Sequence, residues 1–145
     1  MASKVTNRGK EEILKLAFQA GSVSGTDFNV EILTGSVPAN PEDLDNYSEV
    51  SSNVVAGKTA AVTRDGSGFN VVSHTDSSTD KAWIQIKDLD FAGAITSATG
   101  AVLTDQNSTA NSRYIFAYWD FGGAKSVSAG QTLTLQDLEI NLTDS

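Results

Sequence analysis

The residue pattern predicts an all-β protein: an antiparallel, jelly-roll-like β-sandwich with one N-terminal amphipathic helix. Three observations carry the prediction. After residue 27 there are roughly eight short runs rich in apolar residues, most of them alternating apolar with polar as a half-buried strand does. Between them lie clusters of Gly, Ser, Asn and Asp, the residues of tight turns, and no long helical crossovers of the kind a parallel sheet requires. One stretch, from Asn7 to about Ala20, has a helical period instead.

Residues 1–20 read as an arm and helix, and residues 21–145 as the sandwich domain. The first six residues are polar and form a loose arm. In the helix, Ile13, Leu14, Ala17 and Phe18 fall on one stripe with Leu16 at its edge. Thr6 or Asn7 caps the start, Glu11 and Glu12 suit the positive end of the dipole, and Gly21 is a stop. Such a stripe either covers an end or edge of the sandwich or packs against another subunit.

A Gly/Ser loop leads to Phe28, Val30 and Ile32, which alternate with Asn29 and Glu31 as in a half-buried strand. Gly35 to Asn46 holds both prolines with Glu42, Asp43 and Asp45, and reads as a surface excursion. Tyr47, Val50, Val54 and Val55 predict one or two short strands. Lys58 to Arg64 and Phe69 to Ser73, joined by Asp65-Gly66-Ser67-Gly68, predict a hairpin. After a polar loop over His74 to Lys81, the strand from Ala82 to Phe91 changes its buried parity near Asp88. Small residues fill Ala92 to Gly100, then come a short strand at Ala101 to Thr104 and a polar loop from Gln106 to Ser112.

The C-terminal third is the expected spine. Tyr114, Phe116 and Tyr118 share one side of a strand, and Ile115, Ala117 and Trp119 the other, so both faces should be covered and the strand central. Gly122 and Gly123 should turn the chain into a last strand that pairs with it. That last strand changes parity between Leu135 and Leu138, which asks for a one-residue bulge near Gln136 and Asp137. On this reading, a charge at Leu135 or at Phe116 unfolds the domain.

Composition narrows the function. A net charge of −8 and a pI of about 4.4 argue against nucleic acid as a partner, because phosphates must be neutralised by Lys and Arg. The acidity suits solubility and repulsion between free copies, or docking onto a basic partner surface. Without cysteine there is no disulfide, Cys-zinc site or thiol nucleophile. No apolar run approaches the roughly 20 residues of a membrane span, so no membrane partner is expected. Lys15 interrupts the apolar run a secretory signal would need, so the sequons at Asn46, Asn107 and Asn141 read as coincidence.

Candidate chemistry is thin. His74, the one histidine, sits in a polar loop with no nucleophile elbow nearby. Glu42, Asp43 and Asp45 lack the spacing of a calcium loop, and Asp88 and Asp90 share strand parity as solvated carboxylates do. Gly66, Gly68, Gly122 and Gly123 match neither phosphate-binding fingerprint. Trp83, Trp119, Tyr114 and Tyr118 offer sugar-stacking faces, but within apolar strands core packing is the stronger reading. No residue is assigned a catalytic, cofactor-binding or metal-ligating role, no cofactor is expected, and the chain is not read as an enzyme.

Six segments carry a family resemblance: VTNRGKEEILKLAF (5–18), FNVEILTGS (28–36), NPEDLDNYSEV (40–50), the strand that contains Trp83, AVLTD (101–105) and YIFAYWDFGGAKSVSAGQTLTLQDLEINLT (114–143). With these the chain resembles small virion structural proteins of tailed bacteriophages, especially those of phages infecting cyanobacteria. The resemblance implies a capsid decoration (cement) protein on the virion surface. Such a protein binds the major capsid protein, bridges capsomers, and acts as a homo-oligomer, a trimer or dimer. A tail or fibre accessory binding host glycans is the alternative it leaves open. It carries over no catalytic residues.

Overall fold

The computed structural model describes residues 14, 17–18, 27–36, 38–65, 67–70, 81–106, 108–109, 111 and 113–143. They form an all-β chain of nine strands: β1 (Phe28–Thr34), β2 (Val54–Val62), β3 (Phe69–Asn70), β4 (Lys81–Ile86), β5 (Leu89–Ala92), β6 (Ile95–Asp105), β7 (Ile115–Val127), β8 (Thr132–Leu135) and β9 (Leu138–Thr143). All observed pairings are antiparallel. The strands make a four-stranded sheet in the order β2-β1-β6-β7, a three-stranded sheet β3-β4-β9, and the pair β5-β8.

The chain divides into two compact units. One comprises residues 1–25, 63–88 and 136–145, and contains the three-stranded sheet. Its core includes Phe69, Ala82, Ile84, Ile86 and Leu138, all buried. Leu14, Ala17 and Phe18 have helical backbone, and the Phe18 ring lies 5.2 Å from that of Phe69. Arg64 Nη1 donates to the Ala17 carbonyl at 2.8 Å. The rest of the helix and arm expected over residues 1–20 lies outside the described residues, as do His74 and most of its loop.

The other unit, residues 26–62 and 89–135, holds the four-stranded sheet and the β5-β8 pair. Both faces of β1 are buried. Phe28, Val30 and Ile32 are sealed on one face. On the other, Leu33 joins Val50 and Val102, with Leu44, Tyr47, Val54, Ile115 and Tyr118 packed against them. The small residues before Ala101 extend a strand rather than a loop, so β6 has 11 residues. At Gly100 a Cβ would stand 2.7 Å from the Trp119 carbonyl oxygen and 2.8 Å from Tyr118 Oη, so only glycine lets β6 and β7 approach.

Several expectations about pairing are overturned. The aromatic strand β7 is an edge, not a centre, and it pairs with β6 rather than with the last strand. Gly122 and Gly123, both with positive φ, make a break within β7. The register jumps there from Gly100↔Asp120 to Ala98↔Lys125, and the turn into β8 comes at Ser128–Gln131. The run after Arg64 does not pair back on β2: β2 pairs with β1 and β3 with β4, although the Asp65 turn itself forms. Tyr47 and Val50 lie in 3-10 turns, Tyr47–Glu49 and the residue that follows it, and only Val54 begins a strand. The parity changes near Asp88 and Gln136-Asp137 are real, but each ends one strand and begins another.

Candidate functional site

The residues that could meet a partner gather where β7 begins. A bulge sets their directions: Thr104 faces Ile115 and Leu103 faces Ala117, leaving Phe116 as the extra residue. Ile115 and Tyr118 pack with Leu33 and Val102, whereas Phe116 meets the ring of Phe28 edge-on, centroids 5.3 Å apart. Phe116 is still 45% exposed and Tyr114 57%, the exposed large hydrophobics of the described residues. Both were expected inside the strand core. The missed signal is a register shift, which period-2 reading cannot detect.

Arg113, just before the strand, anchors this region from below. Its Nη2 stands 2.9 Å from Glu31 Oε2, with the two side chains 13% and 4% exposed. The pair is ionic rather than a well-aligned hydrogen bond, since that carboxylate oxygen is without a hydrogen-bond donor. Arg113 also donates from Nε to Thr104 Oγ1 and to the Asp105 carbonyl, each at 3.0 Å, and from Nη2 to Thr104 Oγ1 at 2.9 Å. The Tyr47 ring lies 4.1 Å from the guanidinium carbon, in cation–π contact. Burial raises the Tyr47 pKa, Glu31 adds to the rise, and Arg113 opposes it.

The excursion from residue 35 is thereby fastened to the edge of the sheet. Tyr47 N donates to the Arg113 carbonyl at 2.8 Å, and Ile115 N to the Asp45 carbonyl at 3.0 Å, with Asn46 bridged antiparallel to Tyr114. Glu49 Oε2 accepts from the backbone N–H of both Asp45 and Asn46 at 2.8 Å, which lowers its pKa. Beyond this clasp opens a groove of about 290 Å³ lined by Pro41, Glu42, Leu44 and residues Ile115 to Tyr118. Burial raises the Tyr118 pKa, and Asp120 adds to the rise.

The other candidates do not converge. Glu42, Asp43 and Asp45 are exposed, and among the described residues no group of three His, Cys, Asp or Glu side chains is placed to hold a metal ion. Asp88, which falls between β4 and β5 rather than on a strand with Asp90, accepts from Gln136 at 3.3 Å, and Asp90 on β5 accepts from Thr134 at 2.6 Å; both are exposed. Trp83 and Trp119 are half-buried, and neither lines the groove. No helix among the described residues is long and apolar enough to cross a membrane. Comparison with family models, with curated proteins and with solved structures gave no match.

Proposed function

We propose that this chain is a non-enzymatic structural protein of a virion, a capsid decoration (cement) protein that stabilises the shell by bridging capsomers. The observation that carries it is the pair of exposed aromatics, Tyr114 and Phe116, on the sheet-edge region at β7. Large apolar side chains grouped on a polar surface mark a place of contact with another macromolecule. The phage-protein resemblance supplies the identity of that macromolecule: the major capsid protein on the outer shell.

The remaining properties fit such a role. A net charge of −8 keeps free copies apart before they meet the shell, and contact repeated over many symmetric positions makes weak binding sufficient. On this reading the β-strands build a jelly-roll-like sandwich, the N-terminal arm and helix clamp onto neighbouring capsomers, and the protein works as a trimer or dimer. Neither nucleic acid nor membrane takes part. Adding the purified protein to undecorated expanded capsids raises their melting temperature in a saturable way; absence of saturable binding overturns the proposal.

A second reading is favoured by the same aromatic faces: a tail or fibre accessory that stacks host glycans. It requires that sugars quench the fluorescence of Trp83 or Trp119, both half-buried and neither lining the groove. A glycan array with no binder removes it.

A further inference from the structure

We infer that the outer edge of β7, beyond Ile115, receives an extended segment of a partner protein that carries lysine or arginine beside apolar residues. The inference deepens the reading of the chain as an adhesive structural protein and rests on it. Residues 45–47 already lie beside this edge as a strand would, bonded to Arg113, just before β7, and to Ile115, its first residue, through the two backbone bonds described above. The strand-like path ends there because the chain has just left the 3-10 turn Pro41–Asp43. β7 itself runs on to Val127, and among the described residues no strand pairs along its outer side. Among the described residues the fifth position of the sheet is thus filled for three residues, and no further strand continues it.

The open part has the features of a strand-addition site. Its floor is Phe116 to Tyr118 and its far wall is Pro41, Glu42 and Leu44, so backbone, apolar side chains and one acid line the same groove. Its volume of about 290 Å³ sits at the bottom of the roughly 300–1,000 Å³ usual for small-molecule sites, a better fit to a few side chains. Charge selects the occupant. The unit that forms the groove carries nine acids (Asp27, Glu31, Glu42, Asp43, Asp45, Glu49, Asp90, Asp105, Asp120) against Arg113, Lys58 and Lys125. Arg113 is committed to Glu31, and Lys58 Nζ to the Ala92 carbonyl. A cationic extended segment is complementary to that surface, whereas a second copy of this chain brings the same acidity and is repelled.

The test is a titration of the isotope-labelled full chain with a short capped peptide of alternating valine and lysine, followed by backbone amide resonances. Saturable shifts at residues 116–121 and 41–45 are expected. Glu42→Lys should weaken binding about tenfold, and the same peptide N-methylated at alternate residues should lose it, because it keeps the charge but cannot pair as a strand. Equal binding by the N-methylated peptide, shifts confined to other residues, or no saturation overturns the inference. Concentration-dependent dimerisation that shifts the same amides without peptide also overturns it, in favour of a second copy. Capsid binding that persists without peptide binding sinks this inference and spares the decoration reading; peptide binding without capsid binding does the reverse.

Discussion

Arg113 and Glu31 show how much one buried pair decides. Removing the guanidinium strands a carboxylate inside the sheet, which costs about 3–5 kcal/mol, whereas removing both together leaves no buried charge unpaired, only the polar partners Thr104 and the Asp105 carbonyl. Arg113→Ala should therefore lose about 3–5 kcal/mol in urea unfolding, and Arg113→Met with Glu31→Met should recover most of it. A single Arg113→Ala loss below about 1 kcal/mol would mean water reaches the carboxylate. Glu49 is the opposite case, exposed and acting through backbone donors. Its folded pKa is lowered, so its contribution is full above the ordinary glutamate range and is lost as pH falls through the lowered folded value. Glu49→Gln should thus melt earlier than the wild type at neutral pH and match it in acid; an equal gap at every pH would place the effect elsewhere. Neither residue could be singled out from the sequence. Alternation assigns Glu31 to the face opposite Val30 and Ile32, but says nothing about whether that face is covered, and here Leu33, Val50 and Val102 cover it.

At the scale of elements, the runs were legible and their partners were not. Alternating residues report that a segment is extended, because side chains on a strand have period 2 whatever lies beside it. Pairing depends on backbone contacts distant in sequence, and β7 pairs with β6 while β8 and β9 pair with β5 and β4. The double glycine was legible as a special backbone position, yet it serves a register jump inside an edge strand rather than a turn between strands. The bulge at Phe116 reverses one expectation outright. Phe116→Asp should stay folded and lose at most about 1.5 kcal/mol, the worth of an aromatic pair, because that side chain is half in water. Leu135→Asp, at a position 7% exposed, should lose several kcal/mol, on the order of the whole stability. Paired melting curves decide it; equal losses would show that Phe116 is core after all.

At the scale of the whole molecule, the chain passes between its two compact units at residues 25–26, 62–63, 88–89 and 135–136. Two of these passages were visible as parity changes, near Asp88 and near Gln136, since a strand that abandons one buried face for the other has changed its surroundings. The division itself was not visible, because both units draw on segments far apart in sequence. It leads to a sharp expectation for a chain ending at Leu135. That truncation removes β9, which supplies the partners of all six β4 residues and the buried Leu138, and it leaves β4 with only the two pairs it makes with β3. A two-stranded remnant is marginal in water, and losing a buried leucine alone costs about 1.5–3 kcal/mol. The other unit keeps all its strands. The two tryptophans divide between the units, Trp83 on β4 and Trp119 on β7, so each indole N–H resonance reports on one. In the truncated chain the Trp83 signal should collapse to its unfolded position while Trp119 keeps its native shift. Collapse of both would make the molecule one cooperative body, and survival of both would show that β9 is dispensable to the sheet it closes.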